Sequence, residues 1–304
     1  MHLGFLTACL NDPLEDIAPW AARQGFTALE LACWPRRSER DYAGSHVDVA
    51  SPRRVEYAHA AKKLLIDNGL MVSSLAYYEN NLHPDPQQRE VIHQHLRAVI
   101  ETASAMQCPL VGTFIGRHPG KTLDENIREM REVFDPLLDY AGERDVKIMI
   151  ENCPMLNWQF EGLIGNLAYS PPMWEEIFGI LPRENFGLNL DPSHLVWQEI
   201  DWCAAAREFA PRIFHVHAKD AEILHRPRER TGTLLSHCRG NTWWRYRMPG
   251  LGAINWGAFL GTLMESHYDS WVSIEHEDPV WEGSPEKVKA GLTLGLRHLS
   301  SLLP

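Results

Sequence analysis

Apolar residues along the chain gather into short β-rich runs, each followed by a longer stretch in which apolar positions recur at helical spacing. The runs are GFLTACL (4–10), ALELACW (28–34), MVSSLAYY (71–78), LVGTFIG (110–116), KIMIEN (147–152), FGLNLD (186–191), IFHVHAKD (213–220) and WVSIEHED (271–278). Several are apolar on both alternating sets of positions, as strands covered on both faces should be. The intervening stretches predict helices over 13–24, 53–69, 85–106, 122–144, 171–180, 199–210, 254–268 and 284–302. Eight strand–helix units in alternation predict an α/β fold, a (β/α)8 TIM barrel forming a single domain over 1–304. Turn pairs at Gln24-Gly25, Asn68-Gly69 and Tyr268-Asp269 stand just before strands, where tight loops close the lower face of a barrel.

Two connections are long for a compact domain, 35–52 and an insertion at 221–253. The second carries Trp243, Trp244, Arg245, Tyr246 and Arg247, then PGLG. Two readings fit it: a loop packed by its own aromatics, or a lid in which Trp244 stacks on a sugar ring and Arg245 grips its oxygens.

The polar residues that stand out lie at the C-terminal ends of the strands, the face where barrel enzymes build their sites. Glu151 ends the fifth run, Asp191 the sixth, His217 lies late in the seventh and Glu275 late in the eighth. Consecutive strands are neighbours, so these four converge on one side of the mouth as a metal-ligand set. Three carboxylates and one imidazole suit one divalent ion, Mn²⁺ first, with Mg²⁺, Co²⁺ and Zn²⁺ as alternatives. Side chains two apart share a strand face, which adds Asn189, His215 and Glu277 as neighbours of the set. Lys219 and Asp220 follow His217; they read either as site residues or as a salt-bridged strand end. On the opposite rim, His118 in GRHPG and Tyr77, Asn80 and His83 in YYENNLHPD are candidate substrate contacts.

With IEN, LNLDPSHL, HVHAKD and SIEHEDP in this order, and GFTALELACW near the start, nearly the whole chain resembles the xylose isomerase-like sugar phosphate isomerase/epimerase superfamily. The resemblance implies that Glu151, Asp191, His217 and Glu275 match the metal ligands of the ketose 3-epimerase branch. It further implies that Glu151 and Glu275 are the catalytic acid/base pair and that His194 contacts a substrate oxygen. The implied activity is isomerisation or epimerisation of a sugar or keto-sugar, by proton abstraction beside a metal-bound carbonyl. Lys219 is common in the family, with a role that varies between branches.

Composition narrows the alternatives. Hydrophobic residues make up 44% and charged residues 23%, enough for a large core, while the formal charge of −11 and the lack of a basic stripe weigh against nucleic acid. That argues against the DNA-repair endonuclease branch of the same superfamily, whose D-x-H pair also has no counterpart between Asp220 and Trp256. A non-catalytic binding subunit would be expected to lose part of the acid/base set. A lyase of the inosose dehydratase type, or one eliminating from 3-keto-glycosides as a C-glycoside deglycosidase does, remains the alternative, because proton abstraction beside a carbonyl is common to both chemistries. The six cysteines, Cys9, Cys33, Cys108, Cys153, Cys203 and Cys238, form no C-x-x-C pair and suit a reducing compartment. The N-terminal apolar stretch is too short to span a bilayer and lacks a basic start, so a cytoplasmic enzyme of a small sugar, without a membrane partner, is expected. A homo-oligomer is compatible with all of this.

Overall fold

The computed structural model describes residues 1–35, 45–158, 162–233 and 243–304. Eight parallel strands close into a barrel: β1 (His2–Leu6), β2 (Ala28–Ala32), β3 (Met71–Ala76), β4 (Leu110–Thr113), β5 (Lys147–Glu151), β6 (Phe186–Leu190), β7 (Ile213–Ala218) and β10 (Trp271–Ile274). Each pairs with its sequence neighbours in the barrel, and β10 closes it on β1 with His2 opposite Trp271. Two further strands, β8 (Asp220–Ile223) and β9 (Trp244–Arg247), form a separate antiparallel pair with Ala221 opposite Tyr246.

Helices α1 (Leu14–Gln24), α2 (Arg54–Asp67), α3 (Pro86–Met106), α4 (Leu123–Gly142), α5 (Pro171–Ile180), α7 (Trp202–Glu208), α9 (Trp256–Glu265) and α10 (Pro285–Ser300) follow the strands. Their starts are written in the sequence. Asp85 accepts the Gln87 N–H ahead of Pro86, and Thr122 and Glu125 cap α4 reciprocally. Caps of this kind contribute about 1 kcal/mol each. The main core lies between the barrel and the helices, where Phe134, Phe186, Trp174 and Leu292 are essentially inaccessible to solvent.

Three expectations need correction. The strand runs extend beyond the paired segments: β10 ends at Ile274, not 278, and β4 at Thr113, not 116. The extra residues form the barrel rim, where no partner strand continues. The helix expected over 199–210 begins at Trp202, because the Asp201 carboxylate takes the N–H groups of Cys203 and Ala204; a four-residue helix, α6 (Ser193–Val196), precedes it. The connection at 221–253 is partly regular, holding most of β8, all of β9 and α8 (His225–Thr231). Alternation in WRYR is the strand signal that its loop reading overlooked. The remainder of that connection at 234–242, which includes Cys238, and residues 36–44 of the first one lie outside the described residues. The other five cysteines are free thiols, and among the described residues no helix is long and apolar enough to cross a membrane.

Candidate active site

Glu151 is the last residue of β5, His217 the penultimate residue of β7, and Asp191 and Glu275 directly follow β6 and β10. All four are buried, and one potential ligand atom from each lies within 4.8 Å of the others. His217 Nδ1 is 3.1 Å from Glu275 Oε2 and 3.5 Å from Glu151 Oε1.

The local chain sets these positions. Asn152, the last residue of the IEN run, donates from its amide to the Asp191 carbonyl at 2.9 Å and accepts the Asp191 N–H at 2.7 Å, locking the β5 and β6 ends together. Asn166 donates to the Glu151 carbonyl at 3.0 Å. Ser193 N–H occupies Asp191 Oδ1 at 2.8 Å, which leaves Oδ2 turned toward the cluster. Asp191 Oδ2 and His217 Nδ1 are buried and make no well-directed hydrogen bond, only ion-pair contacts, Oδ2 with Lys219 and His194 at 3.2 Å and Nδ1 with Glu275 at 3.1 Å. Buried polar atoms are nearly always hydrogen-bonded, so two such lone pairs facing two further carboxylates fit a divalent cation.

Charges in the cluster are mutually dependent. Burial alone would lower Lys219, but Glu275 and Asp191 raise it well above the usual lysine range. Its ammonium lies 2.7 Å from Glu275 Oε2, 2.9 Å from Glu277 Oε2 and 3.2 Å from Asp191 Oδ2, with the Tyr246 ring centroid at 4.5 Å. Burial would raise Glu275, but Lys219 and His217 hold it far below the ordinary carboxylate range. His194 lies beside the same acids, its Nε2 at 3.2 Å from Asp191 Oδ2 and 3.3 Å from Glu151 Oε1.

The structure thus brings together Glu151, Asp191, His194, His217, Lys219 and Glu275, with Glu277 at the edge. Trp244 stacks flat on Trp197, with centroids 4.8 Å apart, and Arg245 gives its Nε to Glu222 at 2.7 Å. His118 accepts the Gly120 N–H within its own turn, and no hydrogen bond joins it to the cluster. Of the other rim candidates, Tyr77 packs against His95, Asn80 bonds the backbone of Leu82 and Arg117, and His83 accepts the Asp85 N–H. Asp220 does not pair with Lys219. Its carboxylate instead accepts N–H groups from Ala221, Gly250 and Ile254 and from the Trp256 indole, tying down the hairpin. A Cβ at Gly252 would sit 2.2 Å from that carboxylate, so only glycine permits the approach.

Three residues escaped the sequence reading. Glu30, fully buried on β2, lies 2.9 Å from His217 Nε2; an acid inside the apolar run ALELA was its signal. Tyr78 donates to Glu30 at 2.9 Å, and strand parity continued from Ser74 and Ala76 pointed to it. Tyr246 reaches His194 Nδ1 at 2.9 Å. Its place opposite Ala221 in the hairpin could not be read without the pairing register.

The family model for xylose isomerase-like TIM barrels matches residues 18–299. The chain belongs to this family. An uncharacterized Bacillus subtilis protein, YfiH, is 27% identical over 301 residues, covering 91% of this chain and 93% of its own. Two solved structures superpose over nearly full length. D-psicose 3-epimerase from Clostridium cellulolyticum, determined with D-tagatose, has a TM-score of 0.70 at 15% identity, covering 100% of this chain and 99% of its own. The 3-keto-D-glucoside 4-epimerase YcjR from E. coli also gives 0.70, at 13% identity, with 99% of each chain covered. At these identities the two structures speak for the fold.

Proposed function

We propose that this protein is a divalent-metal-dependent isomerase or epimerase of a sugar or keto-sugar. The observation that carries the reading is the convergence of four buried side chains from adjacent strand ends, with one potential ligand atom of each within 4.8 Å of the others and with Asp191 Oδ2 and His217 Nδ1 making no directed hydrogen bond. The activities of the two structural neighbours, both sugar epimerases, and the net charge of −11 agree with a small sugar rather than a nucleic acid as substrate.

In this reading Glu151, Asp191, His217 and Glu275 hold one ion, with Mn²⁺ the first choice. Bound there, it supplies a Lewis acid that acidifies the C–H beside a substrate carbonyl. Glu151 ends β5 and Glu275 follows β10, with β6 and β7 between them, which supports a reading in which the two carboxylates approach the reacting carbon from different sides. One carboxylate removes the proton from carbon, and the other, protonated beforehand, delivers its own to the opposite face. The centre is inverted, the first glutamate has gained one proton and the second has lost one, and exchange with water resets them. His194 Nε2 and Lys219 Nζ hold substrate oxygens. Trp244 and Arg245 belong to the hairpin wall beside the substrate, and His118 to the far rim.

Incubation with ketoses, inososes and 3-keto-glycosides in deuterated water tests this. Deuterium at carbon in recovered isomer, dependent on Mn²⁺ and abolished by chelation, is the expected result. A water-loss product or released aglycone would make the protein a lyase instead.

A further inference from the structure

His217 has two ring nitrogens with different neighbours. Nδ1 faces Glu151 and Glu275, while Nε2 lies 2.9 Å from Glu30 Oε2 on the far side of the ring. Nitrogen that ligates a cation must present a lone pair, and the tautomer is set by whatever binds the other nitrogen.

We propose that Glu30 is the positioning residue for His217, accepting its Nε2–H so that the Nδ1 lone pair faces Glu151, Asp191 and Glu275. The inference rests on the metal-binding reading above and adds a residue to it.

A directed hydrogen-bond chain fixes Glu30 in turn. Tyr78 O–H donates to Glu30 Oε1, and Asn189 Nδ2 donates to the Tyr78 oxygen at 2.7 Å. With its amide nitrogen committed, Asn189 turns Oδ1 to His215 Nδ1 at 2.9 Å, so that nitrogen carries the proton. His215 Nε2 then accepts from the hydroxyls of Ser273 at 3.1 Å or Ser73 at 3.3 Å. Donor and acceptor capacities therefore match along a column running through the barrel interior.

The backbone is shaped around this column. The β2–β3 register shifts between Leu29 and Glu30, and the β6–β7 register shifts between Leu188 and Asn189, placing Asn189 opposite His215. Irregularities of this kind re-aim side chains beside sites. On β4, a Cβ at Gly112 would lie 2.4 Å from the Tyr78 hydroxyl, so glycine clears the space in which Tyr78 reaches Glu30.

Glu30→Gln preserves shape but reverses part of the chain. Its amide NH₂ must meet either the Tyr78 hydroxyl proton or the His217 N–H. Calorimetric titration with Mn²⁺ should show roughly 10- to 100-fold weaker binding than wild type, the range for loss of an outer-sphere partner. Circular dichroism and Tm of the metal-free proteins show whether the variant is folded. In the Zn²⁺-loaded wild type, long-range ¹H–¹⁵N correlation should place the His217 proton on Nε2. A folded Glu30→Gln with unchanged Mn²⁺ affinity, or a His217 proton on Nδ1, overturns the inference. If Glu30→Gln does not fold, Tyr78→Phe decides: weaker Mn²⁺ binding supports the chain and unchanged binding rejects it. A wild type that binds no divalent ion overturns the metal reading itself, an outcome distinct from a wild type that binds and a variant that equals it.

Discussion

The hydroxyl of Tyr246 on β9 lies 2.9 Å from Nδ1 of His194 on α6, joining the hairpin to the helix that follows the β6 end. The other nitrogen of that ring faces Glu151 and Asp191. A tyrosine that donates to Nδ1 keeps the proton on Nε2, where it points at the cluster.

Tyr246→Phe should therefore lower kcat/KM by about 2- to 12-fold, the equivalent of one hydrogen bond of 0.5–1.5 kcal/mol. Mn²⁺ affinity should stay at the wild-type value, since Tyr246 is bonded to none of the four proposed ligands. Steady-state kinetics and calorimetry on the same preparation check both halves. An equal loss of Mn²⁺ affinity would assign Tyr246 to the metal centre.

Glu151→Gln and Glu275→Gln test proton transfer. Gln keeps one oxygen ligand but cannot take a proton at neutral pH, so turnover and solvent-deuterium incorporation should each fall by roughly 10²- to 10⁴-fold. Metal content is measured in the same samples, so that lost binding is not mistaken for lost chemistry. Metal-replete variants that retain exchange would move the proton-transfer role to Lys219 or His194.

Chelation should abolish activity, with Mn²⁺ restoring it best among Mn²⁺, Mg²⁺, Co²⁺ and Zn²⁺. Binding to the folded state alone should raise stability by about 2.7 kcal/mol at a free-ion concentration 100 times Kd. Differential scanning calorimetry at several Mn²⁺ concentrations measures it. A Tm independent of Mn²⁺ would count against the site.

Asp220→Asn should cost roughly 2–4 kcal/mol, because an amide offers an NH₂ to neighbours that are themselves donors and loses charge-assisted bonds. Its four donors come from Ala221, Gly250, Ile254 and Trp256. Urea unfolding checks the loss. A variant as stable as wild type would mean that the hairpin is held by its other contacts.

The barrel was legible because its information is local: periodicity gives each strand and helix, and caps such as Thr122 with Glu125 mark the boundaries. The convergence of Glu151, Asp191, His217 and Glu275 was also legible, since a strand end fixes both the height and the face of a side chain. What was not legible depends on contacts between distant segments. Glu30 and His217 are 187 positions apart, and their approach depends on a register shift that alternation within ALELA does not reveal. Tyr246 required the pairing of two strands separated by a helix; alternation alone turns Asp220 away from Lys219, but its distant partners Gly250, Ile254 and Trp256 could not be read from it.

The four residues His217, Ala218, Lys219 and Asp220 serve two regions in turn. His217 and Lys219 face the acids, whereas Asp220 gathers backbone donors for the hairpin. A single inserted or deleted residue within this tetrad would invert the parity of one end relative to the other, so that either the anchoring carboxylate turns inward or the imidazole turns outward. Loop grafts that redesign this side of the barrel should therefore keep the spacing from His217 to Asp220 intact and place their junctions after it.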